Sequence, residues 1–185
     1  DVHSDFGTFF SPRLSALFRQ PGSSWSLRAS FGGGFSAPTP FVDEIETTSL
    51  ATLLPLRALR AERATTESLD AKWTNAAWDV NVSLFNAEIR APLQAMDAGG
   101  QMFELINAPG PRRMPGAEIL IRHVAGPLQL IGSWSAIDAT ETAPSGLRQR
   151  APLVPRQSAE VGFILESARR GRVGVVHDEH QRSAG

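Results

Sequence analysis

The sequence predicts an all-β fold, an antiparallel meander of about eight strands with its long loops at one end. Two observations lead to this prediction. Apolar and polar residues alternate strictly in many short segments, and short turns alternate with long links between those segments. Strict alternation is typical of β-strands, because successive side chains point to opposite faces of a sheet. Each segment therefore has one apolar face and one polar face.

The clearest alternation is in 25–31, where every odd residue is apolar and every even residue is polar. One apolar residue, Ile131, breaks the pattern in 128–135. Charged residues fall on the polar set, and the apolar faces of the clearest segments have none. Strands are predicted at 25–31, 69–73, 78–84, 128–135 and 159–163, and less clearly at 14–19, 117–122 and 172–176. The charged residues on the polar set are Arg28, Asp70, Lys72, Asp79, Glu118, Arg122 and Glu160.

The links between these segments alternate in length. Short links with turn-forming Gly, Pro or Asn occur at 20–24, 75–77, 124–127 and 168–171. Long links occupy 36–66, 90–115 and 138–156. Transmembrane β-barrels show this asymmetry, with short turns on one side of the membrane and long loops on the other. A soluble β-sandwich also alternates but has no reason to collect its long loops at one end; a soluble all-β binding module is the alternative interpretation.

Aromatic residues support the membrane interpretation. Phe18, Trp25, Trp73 and Trp78 lie on apolar faces close to the short turns, whereas Phe31 and Trp134 lie towards the long links. Two aromatic belts separated by aliphatic residues are typical of the two membrane–water interfaces. The sequence therefore predicts a partial transmembrane β-barrel.

Composition argues against several other classes. The net charge is −1 with both signs interspersed, so no nucleic-acid partner is expected. Cysteine is absent, which excludes disulfides and thiolate chemistry. No set of nucleophile and base emerges: Ser133-Trp134-Ser135 lacks the glycines of a nucleophile elbow. We expect no enzyme activity and no cofactor.

Two motifs suggest ligand chemistry only weakly. His177-Asp178-Glu179-His180 has two histidines three residues apart, but the preceding residues look like a strand, so a solvated loop is favoured over a metal site. Gly32-Gly33-Gly34 lacks the spacing and the lysine of a phosphate-binding loop. We interpret it as a flexible strand end.

Several short phrases occur in order along the chain. Gly-Phe-Ser-Ala-Pro occupies 34–38, and Leu-Arg-Ala-Glu begins at residue 59. Ser-Leu-Phe-Asn at 83–86 ends a strand, Pro-Gly-Ala-Glu at 115–118 starts another, and Pro-Leu-Val-Pro at 152–155 precedes a third. The pattern residues within or near these phrases are Gly34, Phe35, Ala37, Pro38, Glu62, Asn107, Gly116, Glu118 and Pro155.

Together these phrases resemble the barrel strands of TonB-dependent receptors, from about residue 10 to residue 165. The chain departs from the family pattern at Ser36 (usually Arg), Ala61 (usually Pro) and Gln157 (usually His). The resemblance implies a barrel of about 22 strands around a plugged lumen. We therefore expect residues 1–185 to be a fragment of the barrel domain, without the plug domain and the C-terminal strands.

The resemblance also implies a function. A TonB-dependent receptor lies in the outer membrane of a Gram-negative bacterium and imports a scarce nutrient such as a ferric siderophore or a vitamin. Implied partners are outer-membrane lipid, the nutrient ligand and the TonB energy-coupling protein, which acts through the plug. Within the long links, Arg57, Arg60, Arg112 and Arg113 are candidates for binding an anionic ligand. A solvated loop is the alternative role for these arginines.

Overall fold

The computed structural model describes residues 2–3, 7–8, 10–38, 52–55, 58–100, 102–152, 154–167 and 171–181. Within these ranges it describes no side chains for 2–3, 7–8, 52–53, 167, 171–174 and 176–181. All regular secondary structure in the described ranges is β-strand.

Eight strands form one long antiparallel sheet. They are β3 (Arg13–Arg19), β4 (Trp25–Ser36), β6 (Glu62–Thr74), β7 (Trp78–Arg90), β10 (Arg112–Ala125), β11 (Leu128–Ile137), β14 (Gln157–Ser167) and β15 (Gly171–Gln181). Their spatial order, β15-β14-β11-β10-β7-β6-β4-β3, follows the sequence order. The predicted eight-strand antiparallel meander is confirmed, and the sheet stays open between β3 and β15.

The remaining strands are short. They are β1 (Val2–His3), β2 (Gly7–Thr8), β5 (Thr52–Leu53), β8 (Leu93–Gly99), β9 (Met102–Asn107), β12 (Thr140–Thr142) and β13 (Arg148–Arg150). Strands β8 and β9 form a hairpin that β5 extends in parallel. Strand β12 extends the long sheet beside β10 and pairs with β13.

The short links at 20–24, 75–77 and 124–127 are tight turns at one end of the sheet, and residues 168–170 of the fourth predicted link lie outside the described residues. Gly22 and Gly126 adopt positive φ values of 76° and 59°, which glycine tolerates without strain. In the turn between β6 and β7, the backbone N–H groups of Ala77 and Trp78 donate to Oδ1 of Asn75 at 2.9 and 2.8 Å. This Asx geometry explains why a link of three residues is sufficient there.

The register assigns every strand residue to one of two faces. One cross-strand row contains Arg28, Asp70, Ser83, Glu118 and Ser135, which defines the polar face. The adjacent row contains Leu27, Ala71, Val82, Ile119 and Trp134, which defines the apolar face. The two faces found by alternation in separate segments are therefore continuous across the sheet.

The apolar face is not buried. Phe18 is 68% exposed, Trp25 60% and Leu84 53%, values that a soluble core does not show. Further exposed large apolar residues on this face are Leu14, Leu27, Phe31, Leu69, Trp78, Val82, Ile121, Leu128, Trp134, Val161, Phe163, Leu165 and Val175.

The long links are more ordered than the alternation predicts. Strand β6 begins at Glu62 rather than near residue 69, and link 90–115 folds into the β8–β9 hairpin. Among the described residues, the buried apolar ones are in these links: Pro92, Leu93, Leu105, Ala108, Ala139, Ala143 and Ala151. The links therefore form a small packed core of their own at the end of the sheet opposite the short turns.

Two local expectations were wrong. The glycine run 32–34 is not a strand end, because β4 continues to Ser36 and each glycine pairs with a residue of β6. Added Cβ atoms would lie 2.9 Å from Thr66 Oγ1 at Gly32 and 2.9 Å from Pro12 Cδ at Gly33, so close packing accounts for both glycines. Residues 177–180 are not in a loop either, since β15 extends to Gln181.

Gly116 and Gly132 allow a matched test of packing inside the sheet. An added Cβ at Gly116 would overlap the Phe85 ring and lie 2.9 Å from the Ala136 carbonyl oxygen, whereas at Gly132 the nearest atom is 4.0 Å away. We expect Gly116→Ala to lower the free energy of unfolding by ~1–3 kcal/mol through overpacking. Gly132→Ala should change it little or raise it, because glycine loses more entropy on folding.

Urea unfolding followed by tryptophan fluorescence measures both variants. Adding Phe85→Leu to Gly116→Ala should recover part of the loss. Equal effects of the two single alanine substitutions would show that the Phe85 ring is not the cause.

Candidate functional site

Asn107, at the end of β9, holds two long links together. Its Oδ1 accepts from the backbone N–H of Arg60 at 2.8 Å. Its Nδ2 donates to the carbonyl of Arg60 at 3.0 Å and to that of Ala91 at 2.8 Å. One amide side chain therefore satisfies three backbone groups from different parts of the chain, which an apolar residue at this position would leave unpaired. These hydrogen bonds give Asn107 a structural role. The sequence analysis named Asn107 only as a residue of the family phrases.

Glu62 and Gln94 make two further connections between links. Glu62, the first residue of β6, accepts from the backbone N–H of Leu93 at 2.7 Å. Gln94 donates from Nε2 to the carbonyl of Thr142 at 3.2 Å, so the β8–β9 hairpin contacts the β12–β13 link. Glu62 belongs to the polar-face phase of the sheet, opposite Ser36. The hairpin is therefore attached on the polar side of the sheet.

Arg112 and Glu141 form the most buried ion pair in the described residues. The guanidinium donates from Nε at 3.0 Å and from Nη2 at 2.7 Å to Oε2 of Glu141, whose side chain is only 4% exposed. Gln149 Nε2 donates to Oε1 of the same carboxylate at 3.1 Å. The carboxylate is thus stabilised on both oxygens. Arg112 attaches the β12–β13 link to the long eight-strand sheet, which is called the wall below.

Arg113 lies on the opposite face from Arg112, because the two are consecutive residues of one strand. Its Nε donates to Oε2 of Glu88 at 3.0 Å, and Arg90 donates to Oε1 of the same carboxylate at 2.8 Å. Both arginine side chains are largely exposed, at 51% and 73%. Arg112 and Arg113, which lie on opposite faces of the sheet, therefore cannot both contact one ligand.

The other predicted ligand residues lie in the first long link. Arg60 has an exposed side chain, and its backbone is fixed by Asn107. Arg57 lies outside the described residues. Sequence reasoning grouped four arginines; the structure separates three of them into a loop position, a polar-face ion pair and an apolar-face ion pair.

The remaining pattern residues lie in or beside the wall. Gly34 and Phe35 are in β4, and Ala37 and Pro38 follow its last residue. Gly116 leaves room for the Phe85 ring, and Pro155 precedes β14. Glu118 is exposed on the polar face between Ser83 and Ser135 of the adjacent strands. Among these residues, Gly116 has a structural explanation, because a side chain there would overlap the Phe85 ring.

A depression of about 500 Å³ opens where β3, β4 and β6 meet. Its lining includes Arg13, Ser15, Ser30, Gly32, Gly34 and Thr66. These six residues share the polar-face phase, and Gly34, where an added Cβ would meet no atom within 4 Å, leaves space that a larger side chain would fill. Sequence reasoning missed this site, although the glycine run was a usable signal of missing side-chain volume.

Polar side chains also form a connected network lower on the polar face. Ser83 donates to Asp70 Oδ1 at 2.7 Å, and Asn81 donates to Ser83 Oγ at 3.0 Å. Lys72 forms an ion pair with Asp79 at 2.9 Å.

Over the described ranges, the His, Asp and Glu side chains form no group of three or more that could hold a metal ion. In the same ranges no helix is long and apolar enough to cross a membrane.

An open antiparallel wall with one exposed apolar face and folded loops at one end defines the class as a segment of β-barrel wall. The family comparison agrees: the model described as "TonB dependent receptor-like, beta-barrel" matches residues 1–177. The chain belongs to the TonB-dependent receptor β-barrel family. No curated protein gives a significant match to the sequence.

Solved structures with the same fold include three receptors or transporters. The siderophore receptor PirA from Pseudomonas aeruginosa is 18% identical, with a TM-score of 0.75 over 97% of this chain and 35% of that one. The FrpB iron transporter (F3-3 variant) from Neisseria meningitidis is 18% identical, with a TM-score of 0.64 over 89% and 25%. The ferric enterobactin receptor PfeA (mutant G324V) from P. aeruginosa is 11% identical, with a TM-score of 0.69 over 97% and 28%. The chain thus spans about a quarter to a third of the length of these structures.

The adjacent arginines of β10 provide a matched test of the loop attachment. We expect Arg112→Gln to destabilise the protein by about 3 kcal/mol, because it leaves the buried Glu141 carboxylate without its cation. Arg113→Gln should cost less than about 1 kcal/mol, because its ion pair with Glu88 is exposed to solvent.

Urea unfolding of the protein purified in detergent gives both values. Trypsin should also cleave faster after Arg148 in Arg112→Gln than in Arg113→Gln, since the β12–β13 link loses its attachment. Similar stability and cleavage in the two variants would rule out this role for the Arg112–Glu141 pair.

Proposed function

We propose that residues 1–185 form part of the barrel wall and outer loops of a larger outer-membrane receptor that imports a scarce nutrient. The observation that carries the proposal is the exposed apolar face of the eight-strand meander in a chain of this family. Every neighbouring strand pair is hydrogen-bonded, which a wall within the hydrocarbon region requires. The apolar face faces lipid in this proposal, and the polar face lines the lumen.

Aromatic geometry near the short turns supports this orientation. Trp25 and Trp73 lie opposite each other with ring centroids 6.3 Å apart, and Trp78 stacks on His123 at 4.0 Å. All four are on the apolar face, within the first or last three residues of their strands. Tryptophan is favoured at the membrane–water interface because its ring is amphipathic. The short turns are at the periplasmic side in this proposal, because outer-membrane barrels have their short turns there.

The alternative, a soluble β-sandwich, would need a second sheet against the apolar face. The described residues leave that face half exposed along β3, β4, β6 and β7, and the packed apolar core is in the links instead. Exposed apolar area of this extent is unfavourable in water. The structure therefore favours lipid as the partner of this face.

The proposed cargo is a bulky metal chelate such as a ferric siderophore, with a vitamin as the other class. The support is that solved structures of this fold are described as a siderophore receptor, an iron transporter and a ferric enterobactin receptor. We propose that TonB drives import by acting on another part of the receptor. The wall segment would carry no catalytic residue.

Ligand contact by Arg57, Arg60, Arg112 and Arg113 is part of the proposal, and the structure ranks the described arginines. Arg60 is the strongest candidate, because its side chain is exposed while two hydrogen bonds from Asn107 fix its backbone. Arg112 lies on the polar face but is already paired with Glu141. Arg113 lies on the face assigned to lipid, which makes it the weakest of the three.

Cysteine labelling tests the membrane assignment directly. Single cysteines at Leu69, Ala71, Val80 and Val82 lie on the apolar face, and those at Asp70 and Asn81 lie on the polar face. In intact outer membranes, a lipophilic maleimide should modify the first set and spare the second. The matched residues are sequence neighbours, so differences in expression or depth are small.

Labelling is measured by mass shift on the full-length receptor after the membranes are isolated. If neither set is modified, the apolar face is packed against protein and the membrane assignment fails.

Uptake of iron-55 chelates tests the transport assignment. In iron-starved cells, loss of the receptor gene should abolish accumulation of at least one chelate in a panel of ferric siderophores, and loss of TonB should have the same effect. Arg60→Ala should reduce that uptake several-fold, because a charge-assisted contact contributes ~1.5–3 kcal/mol. Arg19→Ala, at the short-turn end of β3, is the control and should transport normally. Uptake that does not depend on TonB would contradict the proposal.

A further inference from the structure

Two arginines on the polar face of the wall have no ion-pair or hydrogen-bond partner among the described residues. They are Arg13 of β3 and Arg28 of β4, both exposed, and we call them the arginine pair. The register places Arg13 opposite Gly32 and Arg28 opposite Leu17, so both belong to the polar-face phase. Neither β3 nor β4 contains an acidic residue. The pair therefore carries positive charge that its own two strands do not compensate.

The acid that lies closest to the pair in the register is bonded to other groups. Asp70 of β6 is directly opposite Arg28. Its Oδ1 accepts from Ser83 at 2.7 Å, and its Oδ2 accepts from Ser68 at 3.4 Å. Because serine hydroxyls occupy both carboxylate oxygens, the guanidinium of Arg28 stays available to an anion from outside the chain.

Arg13 lines the depression of about 500 Å³ between β3, β4 and β6. The hydroxyls of Ser15, Ser30 and Thr66 line it as well, so each polar side chain there can donate a hydrogen bond. At Gly34 an added Cβ would meet no atom within 4 Å, which leaves the depression open. Small-molecule sites have volumes of this order. The lining thus suits a ligand whose surface carries oxygen acceptors and negative charge.

Arg28 lies below the depression, towards the short turns. Its row is four residues from Arg13 along β3, which is ~13 Å in an extended strand. Both side chains are long and lie on the same face of adjacent strands, so they can contact two sides of one bulky anion. Arg19 is six residues from Arg13, or ~20 Å along the strand, at the short-turn end of β3. Arg19 therefore lies outside the depression although it shares the face.

The lining also distinguishes between classes of anion. A guanidinium donates two parallel hydrogen bonds to a carboxylate. An aromatic chelate would gain from ring stacking, but the polar-face residues of β3 and β4 include no aromatic residue. Leu14 and Phe31, which also border the depression, belong to the apolar face. A neutral chelate would gain little from two unpaired cations.

We propose that the depression and the arginine pair bind a metal chelate through its carboxylate groups, as in a hydroxycarboxylate complex. Arg13 contacts one carboxylate inside the depression, and Arg28 contacts a second one below it. The inference rests on the proposed function, which assigns the polar face to the lumen of an importer. It names the class of chelate that this part of the lumen selects.

Binding of ferric citrate to the full-length receptor in dodecyl maltoside, measured by isothermal titration calorimetry, tests the proposal. Arg13→Gln should raise Kd about tenfold or more, because it removes a charge-assisted contact, and Arg28→Gln should raise it several-fold. Arg19→Gln removes the same charge from the same face and should leave Kd within about twofold. Gly34→Val should raise Kd several-fold, because it fills the depression without changing any charge.

Two further ligands test the chemical class. Ferrioxamine B, a hydroxamate complex without carboxylates, and iron-free citrate should each bind about tenfold more weakly than ferric citrate, or worse. Equal losses in Arg13→Gln and Arg19→Gln, no loss in Arg13→Gln, or equal affinity for the three ligands would overturn the proposal. Electrophoresis without boiling shows whether each variant is folded. If Arg13→Gln is not folded, Gly34→Val and the comparison of ligands still decide.

Uptake of iron-55 chelates is read separately from binding. If cells take up another chelate in a TonB-dependent way while the receptor does not bind ferric citrate, this inference fails and the proposed function stands. If ferric citrate binds through Arg13 but the receptor imports no chelate, the proposed function fails and the binding site stands.

Discussion

Unbroken antiparallel register is the constraint on which the rest of this structure depends. From β3 to β15 the strands of the long sheet pair residue by residue in the described ranges. A register shift occurs in the separate β8–β9 hairpin, between Asp97 and Gly99. A slip of one residue in any strand would move its apolar residues to the polar face. Because the register holds, Arg28, Asp70 and Glu118 share one row although they are far apart in sequence. The polar network and the exposed apolar face are both consequences of that register.

Sequence alone was sufficient for the wall but not for its outer part. Period-two alternation located the strands and the short turns because neighbouring residues of a strand lie on two faces of opposite polarity. The same rule fails near Arg63 and Glu67, where the strand continues beyond the apolar band and both faces are polar. Alternation therefore placed the start of β6 too late, near residue 69 instead of at Glu62. In the β8–β9 hairpin, Gln94 is buried among apolar neighbours, so the pattern there gives no clear phase.

The site was predicted less well than the fold for a related reason. Arg112 and Arg113 were grouped because they are adjacent in a presumed loop, but in a strand adjacency places them on opposite faces. Asn107 and Glu62 were recognised only through family phrases. Their roles depend on backbone groups of Arg60, Ala91 and Leu93, which are distant in sequence or belong to irregular segments. Contacts of this kind have no periodic signal.

The distribution of burial reverses the usual relation between scaffold and loops. In a soluble protein the scaffold strands are buried and the loops are exposed. Here Leu93, Leu105 and Glu141 are buried in the links, whereas Leu84 of the wall is 53% exposed. The wall is then stabilised by the hydrogen bonds between its strands and by whatever covers its apolar face. The links are stabilised by their own packing. A substitution at Asn107 or Glu141 should therefore loosen the loops and leave the wall intact, and a substitution at Leu84 should act at the exposed apolar face and not through a protein core.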